Sequence, residues 1–270
     1  MPIITLLTDF GLSDPYVGLM KGVILSITPE ASIVDISHDI DPQDIVSAAY
    51  LIDSAYPYFP AKTVHAAVVD PGVGSSRKII AAQACGHYFL APDNGILTKV
   101  LGNINVDKII QVENPEYFMR PVSRTFHGRD IFAPVAAHLA AGKALDTFGP
   151  MISGADMVRL ELPVSCLTDT GQLRGEVITV DRFGNLITNI DQHSVRRIRA
   201  TGDEKDLCVH VGSRRIKGIS TFYQDVSPGE LLALIGSRGY LEISVNQGDA
   251  KSYCGVEKGA SVTVTALGGG

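Results

Sequence analysis

The spacing of apolar segments changes about 160 residues into this 270-residue chain, and that change constrains the fold more than any other feature. Before it, short β-branched runs alternate with segments of helical periodicity. After it, short strand-like runs follow one another, separated by Gly, Asp, Asn and Ser. Strands alternating with helices predict a mostly parallel sheet covered on both faces, whereas successive short strands predict a small antiparallel barrel or sandwich. We therefore expect an α/β domain over 1–162, a linker over 163–172 and an all-β domain over 173–270.

Individual elements are bounded by turn and capping residues. Asp14 and Asp41 each precede a proline, so each predicts a helix that starts with Asp as its N-cap. Gly142 predicts the end of a helix over 129–141. Cys85 and Gly86 predict the turn of a hairpin, and the last three glycines are expected to fray. The expected strands are 2–8, 32–36, 63–69, 78–84, 87–91, 108–112, 173–180, 186–190, 207–211, 231–235, 241–245 and 261–266.

Composition narrows the class of function. There are 29 acidic and 23 basic residues, and the densest basic group is only Arg196, Arg197 and Arg199, so we expect no nucleic-acid partner. No apolar run approaches the ~18 residues that span a bilayer, and the N-terminus lacks a basic leader, so we expect no membrane partner. The four cysteines form no C-x-x-C pair, which favours a cytoplasmic protein without a zinc site or disulfide framework.

Three polar clusters follow predicted strands or precede a helix in the first domain, where the sites of α/β proteins gather. Asp9 comes directly after the first strand. Three interpretations fit it: a turn residue, a carboxylate that binds the hydroxyl groups of a ligand, or a phosphatase-like nucleophile. Asp70 and Arg77 bound a glycine-containing loop and form either a surface ion pair or part of a site. His127 is either structural or an acid–base group. The acidic stretch 35–44 has the composition of a metal site, but we expect it to be solvated.

Two turns of the second domain carry further candidates. Asp181, Phe183 and Asn185 suit either an ordinary hairpin turn or a purine site, because an aromatic face stacks on a base and an amide bonds its edge. Ser237 and Arg238 form either a polar turn or a carboxylate site, because guanidinium groups pair with carboxylates through two hydrogen bonds.

Taken in order, these motifs resemble the S-adenosyl-L-methionine hydroxide adenosyltransferases, the hydrolase branch of the fluorinase and chlorinase superfamily. The resemblance covers nearly the whole chain and implies an N-terminal α/β domain with a C-terminal β-barrel. It also implies a homotrimer whose sites lie between one subunit's N-terminal domain and the next subunit's C-terminal domain. The matching segments are 8–11 (TDFG), 69–74 (VDPGVG), 91–95 (APDNG), 125–130 (TFHGRD), 181–185 (DRFGN) and 237–240 (SRGY).

The resemblance also implies a role for each matching residue. Asp70, Arg77 and His127 would form the catalytic set around a nucleophilic water, and the halogenases carry tyrosine at the positions of Asp70 and His127. Asp9 would hold the ribose hydroxyls. The implied substrate-binding set is Asp9, Phe10, Asp93, Asn94, Phe126, Gly128, Asp181, Phe183, Asn185, Ser237, Arg238 and Glu242, in which Phe183 and Asn185 meet adenine and Asp181, Ser237 and Arg238 meet the methionine end.

The implied reaction is hydrolysis of S-adenosyl-L-methionine to adenosine and L-methionine by attack of water or hydroxide on C5′, with neither cofactor nor metal. The sequence leaves open whether Asp70 or His127 takes the proton. Two alternatives keep the fold: a halide-dependent adenosyltransferase, and a protein that binds adenosine or S-adenosylmethionine without cleaving it.

Overall fold

The computed structural model describes residues 1–198 and 206–266. The chain divides into two compact units, Met1–Glu161 and Leu162–Gly270. Arg199 of the basic group and the terminal glycines 268–270 lie outside the described residues.

A six-stranded mixed sheet forms the centre of the N-terminal unit. Five of its strands point the same way, and only the fourth runs opposite, which confirms the mostly parallel sheet and the hairpin at Cys85 and Gly86. The strands are β1 (Ile3–Thr8), β2 (Ser32–Ser37), β3 (Val64–Val68), β4 (Ile79–Ala84), β5 (His87–Pro92) and β6 (Val106–Gln111), in the order β2-β1-β3-β5-β4-β6.

Helices cover both faces of this sheet. Successive strand residues point to opposite faces, so Leu6 packs with the helices α1 (Tyr16–Ile27) and α4 (Ala133–Ala140), while Leu7 packs with α2 (Ile45–Ala55) and α3 (Thr98–Gly102). The two apolar clusters account for the continuous apolar character of β1, which is buried on both sides.

Both predicted Asp-Pro helix starts are wrong in detail. Helix α1 begins at Tyr16, and Pro15 occupies the N-cap position without a side-chain cap. Helix α2 begins at Ile45, and its cap is Asp44, whose carboxylate accepts the Ser47 amide hydrogen. The prolines lie ahead of the helices rather than in their first turns, so Asp14 and Asp41 belong to the preceding loops.

The predicted helix over 129–141 is two elements. A π-helical turn spans Gly128–Phe132, and α4 follows it directly. A π-helical turn inserts one extra residue per turn and is frequent at functional sites. Here it follows His127 immediately.

The C-terminal unit is an antiparallel, nearly closed barrel, which confirms the all-β prediction. Ser220, just after the first strand in the sheet order, bridges to Leu234 in the last and brings the two edges together. Cys166–Leu167, in the expected linker, also pairs as a short strand. The strands are β7 (Cys166–Leu167), β8 (Leu173–Val180), β9 (Leu186–Asp191), β10 (Leu207–Val211), β11 (Arg214–Lys217), β12 (Leu231–Ile235), β13 (Tyr240–Val245) and β14 (Ser261–Ala266), in the order β11-β10-β14-β8-β9-β13-β12, with β7 beside β8.

Two short helices of this unit escaped the sequence patterns, α5 (Gln192–Ile198) and α6 (Ala250–Cys254). Each is at most two turns long, too short for a helical period to stand out. Within the described ranges of the whole chain, no helix has the length and apolar character to cross a membrane.

Candidate active site

The N-terminal candidate site lies where β1 and β3 end. These strands are parallel neighbours in register, with Thr8 opposite Val68, so the loops that follow them leave the sheet side by side. Asp9 and Phe10 belong to the first loop and Asp70 to the second. The carboxyl edge of a parallel sheet is where ligands bind in α/β folds.

Asp70 and Arg77 form a buried ion pair across their loop. Arg77 Nε lies 2.9 Å from each carboxylate oxygen of Asp70, and Nη2 also bonds to Oδ2. The side chains of Asp70 and Arg77 are only 5% and 10% exposed. This burial excludes the surface ion pair considered as an alternative from the sequence, and removing one partner would leave an uncompensated charge.

His127 extends this pair into a network of three side chains. Arg77 Nη2 lies 2.9 Å from His127 Nδ1. A guanidinium can only donate, so Nδ1 is the acceptor and the ring proton is on Nε2. Burial, and then the charge of Arg77, lower the pKa of His127 against the opposing effects of Asp70, Asp130 and a backbone hydrogen bond at Ser123. The imidazole is therefore neutral near pH 7.

The His127 loop is fixed by a close approach to the Asp70 loop and by hydrogen bonds within its own segment. Gly74 has a φ of +77°, and a Cβ built there would lie 2.2 Å from the carbonyl oxygen of Arg124. Only glycine permits that approach. Asp130, which is 1% exposed, accepts the Ser123 amide hydrogen at 2.7 Å and the Arg129 Nε hydrogen at 2.6 Å. Asp130 thus fixes the segment that carries His127.

A cavity of about 280 Å³ opens beside this network. It brings together five residues of the sequence-based site, Phe10, Asp70, Phe126, His127 and Gly128. Its lining combines three aromatic rings with one carboxylate and one imidazole, an apolar pocket with a few convergent polar groups that is typical of a small-molecule site. The full lining is Phe10, Tyr16, Val68, Asp70, Val73, Thr125, Phe126, His127 and Gly128.

In the C-terminal unit, the turn between β8 and β9 is built around Asp181. Its Oδ1 accepts the amide hydrogens of Phe183 at 2.8 Å and Asn185 at 2.9 Å, and its Oδ2 accepts the side-chain amide of Asn185. The Phe183 ring is 76% exposed, whereas Asn185 is 7% exposed. The turn therefore presents an aromatic face and fixes the amide beside it.

Ser237 and Arg238 lie in the exposed turn between β12 and β13. Within this unit they are not beside the Asp181 turn: Tyr240 pairs with Asp191 at the far end of β9. Glu242 lies between the two turns and is 6% exposed. It accepts hydrogen bonds from Tyr223 at 2.7 Å and Ser244 at 2.9 Å, and burial, with the Glu242 carboxylate, raises the pKa of Tyr223 to about 12.

Comparison with known proteins decides the family. The family models for the N-terminal and C-terminal domains of SAM hydroxide adenosyltransferase match residues 4–149 and 175–263. This chain belongs to the SAM hydroxide adenosyltransferase family. Proteins named (R)-S-adenosyl-L-methionine hydrolase are similar to it: the one from Salinispora tropica is 37% identical over 98% of both chains, and the one from Thermus thermophilus is 39% identical over 95% of this chain and 96% of the other.

A solved structure agrees with the fold of this SAM hydroxide adenosyltransferase family member. An uncharacterized conserved protein from Thermotoga maritima superposes with a TM-score of 0.89 and 40% identity, covering 97% of this chain and 99% of the other.

Three of the candidate residues from the sequence lie outside the cavity lining, and each forms a hydrogen bond within the protein. The carboxylate of Asp9 accepts the Gln43 amide hydrogen at 2.8 Å. Asp93 accepts the Val158 amide hydrogen at 2.9 Å, and burial raises its pKa. Asn94 donates to the Val69 carbonyl at 2.8 Å. Substrate contact by these side chains stays a prediction.

Of the four cavity residues that the sequence did not propose as site residues, Tyr16 is the aromatic one. Its ring lies 6.0 Å from Phe10 and 5.0 Å from Phe126, both edge-on. The sequence offered one indication of this position: Tyr16 lies in the first turn of α1, a few residues after the motif at 8–11. Within residues 1–198 and 206–266, the acidic stretch 35–44 included, no group of three potential metal ligands converges.

Proposed function

We propose that this protein hydrolyses S-adenosyl-L-methionine to adenosine and L-methionine. The observation that carries the proposal is the network that the buried Asp70–Arg77 pair forms with the half-buried His127 beside a cavity, in a chain of this family. The relatives that bear the name (R)-S-adenosyl-L-methionine hydrolase match over nearly their full length, which supports the same activity here.

The reaction is a displacement at C5′ of the ribose. The oxygen of water forms a bond to C5′, the C5′–S bond breaks, and its electron pair stays on sulfur, which becomes the neutral thioether of methionine. The water loses one proton, and adenosine gains its 5′-hydroxyl. Neutral water is a weak nucleophile, so the protein must hold the oxygen in line and accept a proton.

Asp70 is the better proton acceptor of the two candidates. His127 Nδ1 already accepts a hydrogen bond from Arg77, and Nε2 carries the ring proton. His127 can therefore accept a proton only after Arg77 moves away. Asp70 Oδ1 accepts only from Arg77 Nε, whereas Oδ2 accepts from both Nε and Nη2, so Oδ1 keeps a second lone pair for a proton; Asp70 also lines the cavity. In this scheme Arg77 orients both side chains.

The remaining assignments complete the proposal. Asp9 holds the ribose hydroxyls, and Phe10, Phe126 and Gly128 pack on the substrate from the cavity wall. Phe183 and Asn185 take adenine, while Ser237 and Arg238 take the methionine carboxylate. Asp181 accepts the hydrogen bonds that order its own turn. Its contact with the methionine amino group is an additional role in this proposal.

The assembly and location are further parts of the proposal. No cofactor takes part in the scheme, the protein is a homotrimer, and its location is cytoplasmic. The four cysteines are free thiols, which agrees with a reducing compartment. Light scattering coupled to size-exclusion chromatography tests the trimer independently of the reaction, and a monomer at micromolar concentration would contradict it.

Incubation with S-adenosylmethionine in ¹⁸O-water containing chloride tests the reaction. Chromatography with mass detection should find adenosine labelled in the 5′-hydroxyl together with unlabelled methionine. Appearance of 5′-chloroadenosine instead would assign a halide-dependent transferase. Intact substrate, with binding detected by calorimetry, would assign a binding protein and refute hydrolysis.

A further inference from the structure

His38 is a buried histidine that the proposed reaction does not use. It follows β2 and is 3% exposed. Its Nδ1 lies 2.8 Å from the hydroxyl of Thr8, the last residue of β1. Its Nε2 is the one buried side-chain nitrogen or oxygen without a hydrogen-bond partner among the described residues. Burying such a group costs free energy of folding, so its placement calls for a role in the fold or in the function.

The proton of His38 is placed by its neighbours. Nε2 lies 3.1 Å from Asp35 Oδ1, close enough for electrostatic attraction although not aligned as a hydrogen bond. Burial raises the pKa of Asp35, but the hydrogen bond from Lys21 and the electrostatic attraction of Lys21 and His38 outweigh it and lower that pKa overall. The ionised carboxylate favours the ring proton on Nε2, which leaves Nδ1 free to accept from the Thr8 hydroxyl.

The chain of hydrogen bonds continues from His38 and Thr8 into the turn at 8–11, which belongs to the candidate site. With its proton directed at His38, the Thr8 oxygen accepts the amide hydrogen of Phe10 at 3.2 Å. The His38 carbonyl accepts the Gly11 amide hydrogen at 2.8 Å. Asp9 belongs to the turn 8–11 that these two hydrogen bonds hold.

The Asp9 carboxylate itself is fixed at one oxygen only. Its Oδ2 accepts the Gln43 amide hydrogen at 2.8 Å, and within the described ranges Oδ1 accepts no hydrogen bond from the protein. Segment 38–43 thus holds the turn at 8–11 through three hydrogen bonds and leaves one carboxylate oxygen for a ligand.

We propose that His38 is a positioning residue for Asp9, and that through the Thr8 hydroxyl it sets the carboxylate for the two ribose hydroxyls of the adenosyl group. This inference rests on the proposed function, because it assumes an adenosyl ligand at Asp9. A positioning residue of this kind acts on hydroxyl recognition and leaves the proton transfer at Asp70 unaltered.

The test compares adenosine with 2′,3′-dideoxyadenosine, which lacks both hydroxyls, by calorimetry on wild-type protein and two variants. Wild type should prefer adenosine by at least about 10-fold, the order of one good hydrogen bond to a charged group. His38→Phe keeps a ring but no acceptor, so its preference should fall to about 2-fold with dideoxyadenosine affinity unchanged. His38→Asn restores an acceptor at the Nδ1 position and should recover most of the preference.

Thr8 supplies the variants needed if His38→Phe does not fold. Thr8→Val removes only the hydroxyl at constant shape and should lose the preference, whereas Thr8→Ser should keep it. Lys108→Gln, whose ammonium pairs with Asp146 beside β6 and takes no part in this chain of contacts, is the matched control and should behave as wild type. Asp9→Asn should abolish the preference by itself, and adding His38→Phe should then have no further effect.

Distinct outcomes separate this inference from the reaction on which it rests. A His38→Phe protein that keeps the wild-type preference, or weakens both nucleosides equally, overturns the positioning role even if wild type releases labelled adenosine. A wild type that binds both nucleosides alike overturns the role of Asp9 and this inference together. A wild type that binds neither nucleoside and forms no product overturns the proposed function as well.

Discussion

The ion pair proposed to carry out the reaction in the N-terminal unit is buried, whereas several side chains proposed to hold the substrate in the C-terminal unit are exposed. Asp70 and Arg77 have side chains only 5% and 10% exposed, and each is oriented by the other. Phe183 is 76% exposed, and Ser237 and Arg238 lie in an exposed turn. Groups that act on a transition state need their geometry set in advance by protein neighbours. A ring that stacks on a base needs only a free face.

The largest expected effect breaks the buried network. Asp70→Asn keeps the shape but removes the proton acceptor, so turnover should fall about 10²- to 10⁴-fold while adenosine affinity stays within about threefold. His127→Asn keeps an oxygen that can accept from Arg77, so we expect a loss of about 10-fold or less. Single-turnover kinetics and calorimetry measure both. Equal losses in the two variants would contradict the assignment of the proton acceptor to Asp70.

The next effect separates the two loops of the network. Gly74→Ala places a methyl group 2.2 Å from the Arg124 carbonyl, so the loops must move apart. We expect a loss of about 2–4 kcal/mol in unfolding free energy, with turnover reduced at least about 10-fold. Gly142→Ala is the matched control, because Gly142 also has positive φ (+89°) but nothing within 4 Å of the added carbon. Denaturant titration should show about 1 kcal/mol for the control. Similar losses for both would show that the close approach does not matter.

Acid should affect the N-terminal unit first. Burial, and then His87, lower the pKa of His65 to about 3, so the folded protein keeps this ring neutral where the unfolded chain, near 6.5, is protonated. The unfolded state binds more protons between these values, so the stabilisation is complete above about pH 6.5 and is lost as the pH falls towards 3. Between pH 6.5 and 4.5 one such group removes on the order of 2 kcal/mol.

Hydrogen exchange at pH 7 and 4.5 checks this prediction, with protection falling first in β1, β3 and β5. His65→Leu should flatten the dependence of the urea midpoint on pH. A variant as acid-sensitive as wild type would assign the acid response to other groups.

The smallest expected effect concerns the exposed ring. Phe183→Ala should raise KM about 10-fold with kcat nearly unchanged, since base–aromatic stacking contributes about 1–3 kcal/mol. Because the ring is exposed, the melting temperature should stay within about 1 °C of wild type. Phe222→Ala, at a ring that is 56% exposed in the same unit, is the matched control and should change neither value. A large drop in stability for Phe183→Ala would show that the ring is structural.

Local sequence patterns predicted elements better than they predicted contacts. The two-part alternation of strands and helices anticipated the parallel and antiparallel sheets, because apolar periodicity directly reflects which faces are buried. The helix starts at Asp14 and Asp41 failed, since an Asp-Pro pair suits a loop as well as an N-cap. The π-helical turn at Gly128–Phe132 had no recognisable sequence pattern, so the sequence predicted a single helix there.

The sequence by itself determined the two kinds of sheet, the family resemblance and the candidacy of Asp70, Arg77 and His127, because these depend on residue type and spacing along the chain. Only the tertiary structure decided that Arg77 lies between the other two and that His127 is neutral with its proton on Nε2. Only it showed Tyr16 in the cavity and His38 behind Thr8. The physical reason is that hydrogen-bond direction and burial are set between segments far apart in the chain, here by the parallel pairing of β1 with its neighbours and by the close approach at Gly74.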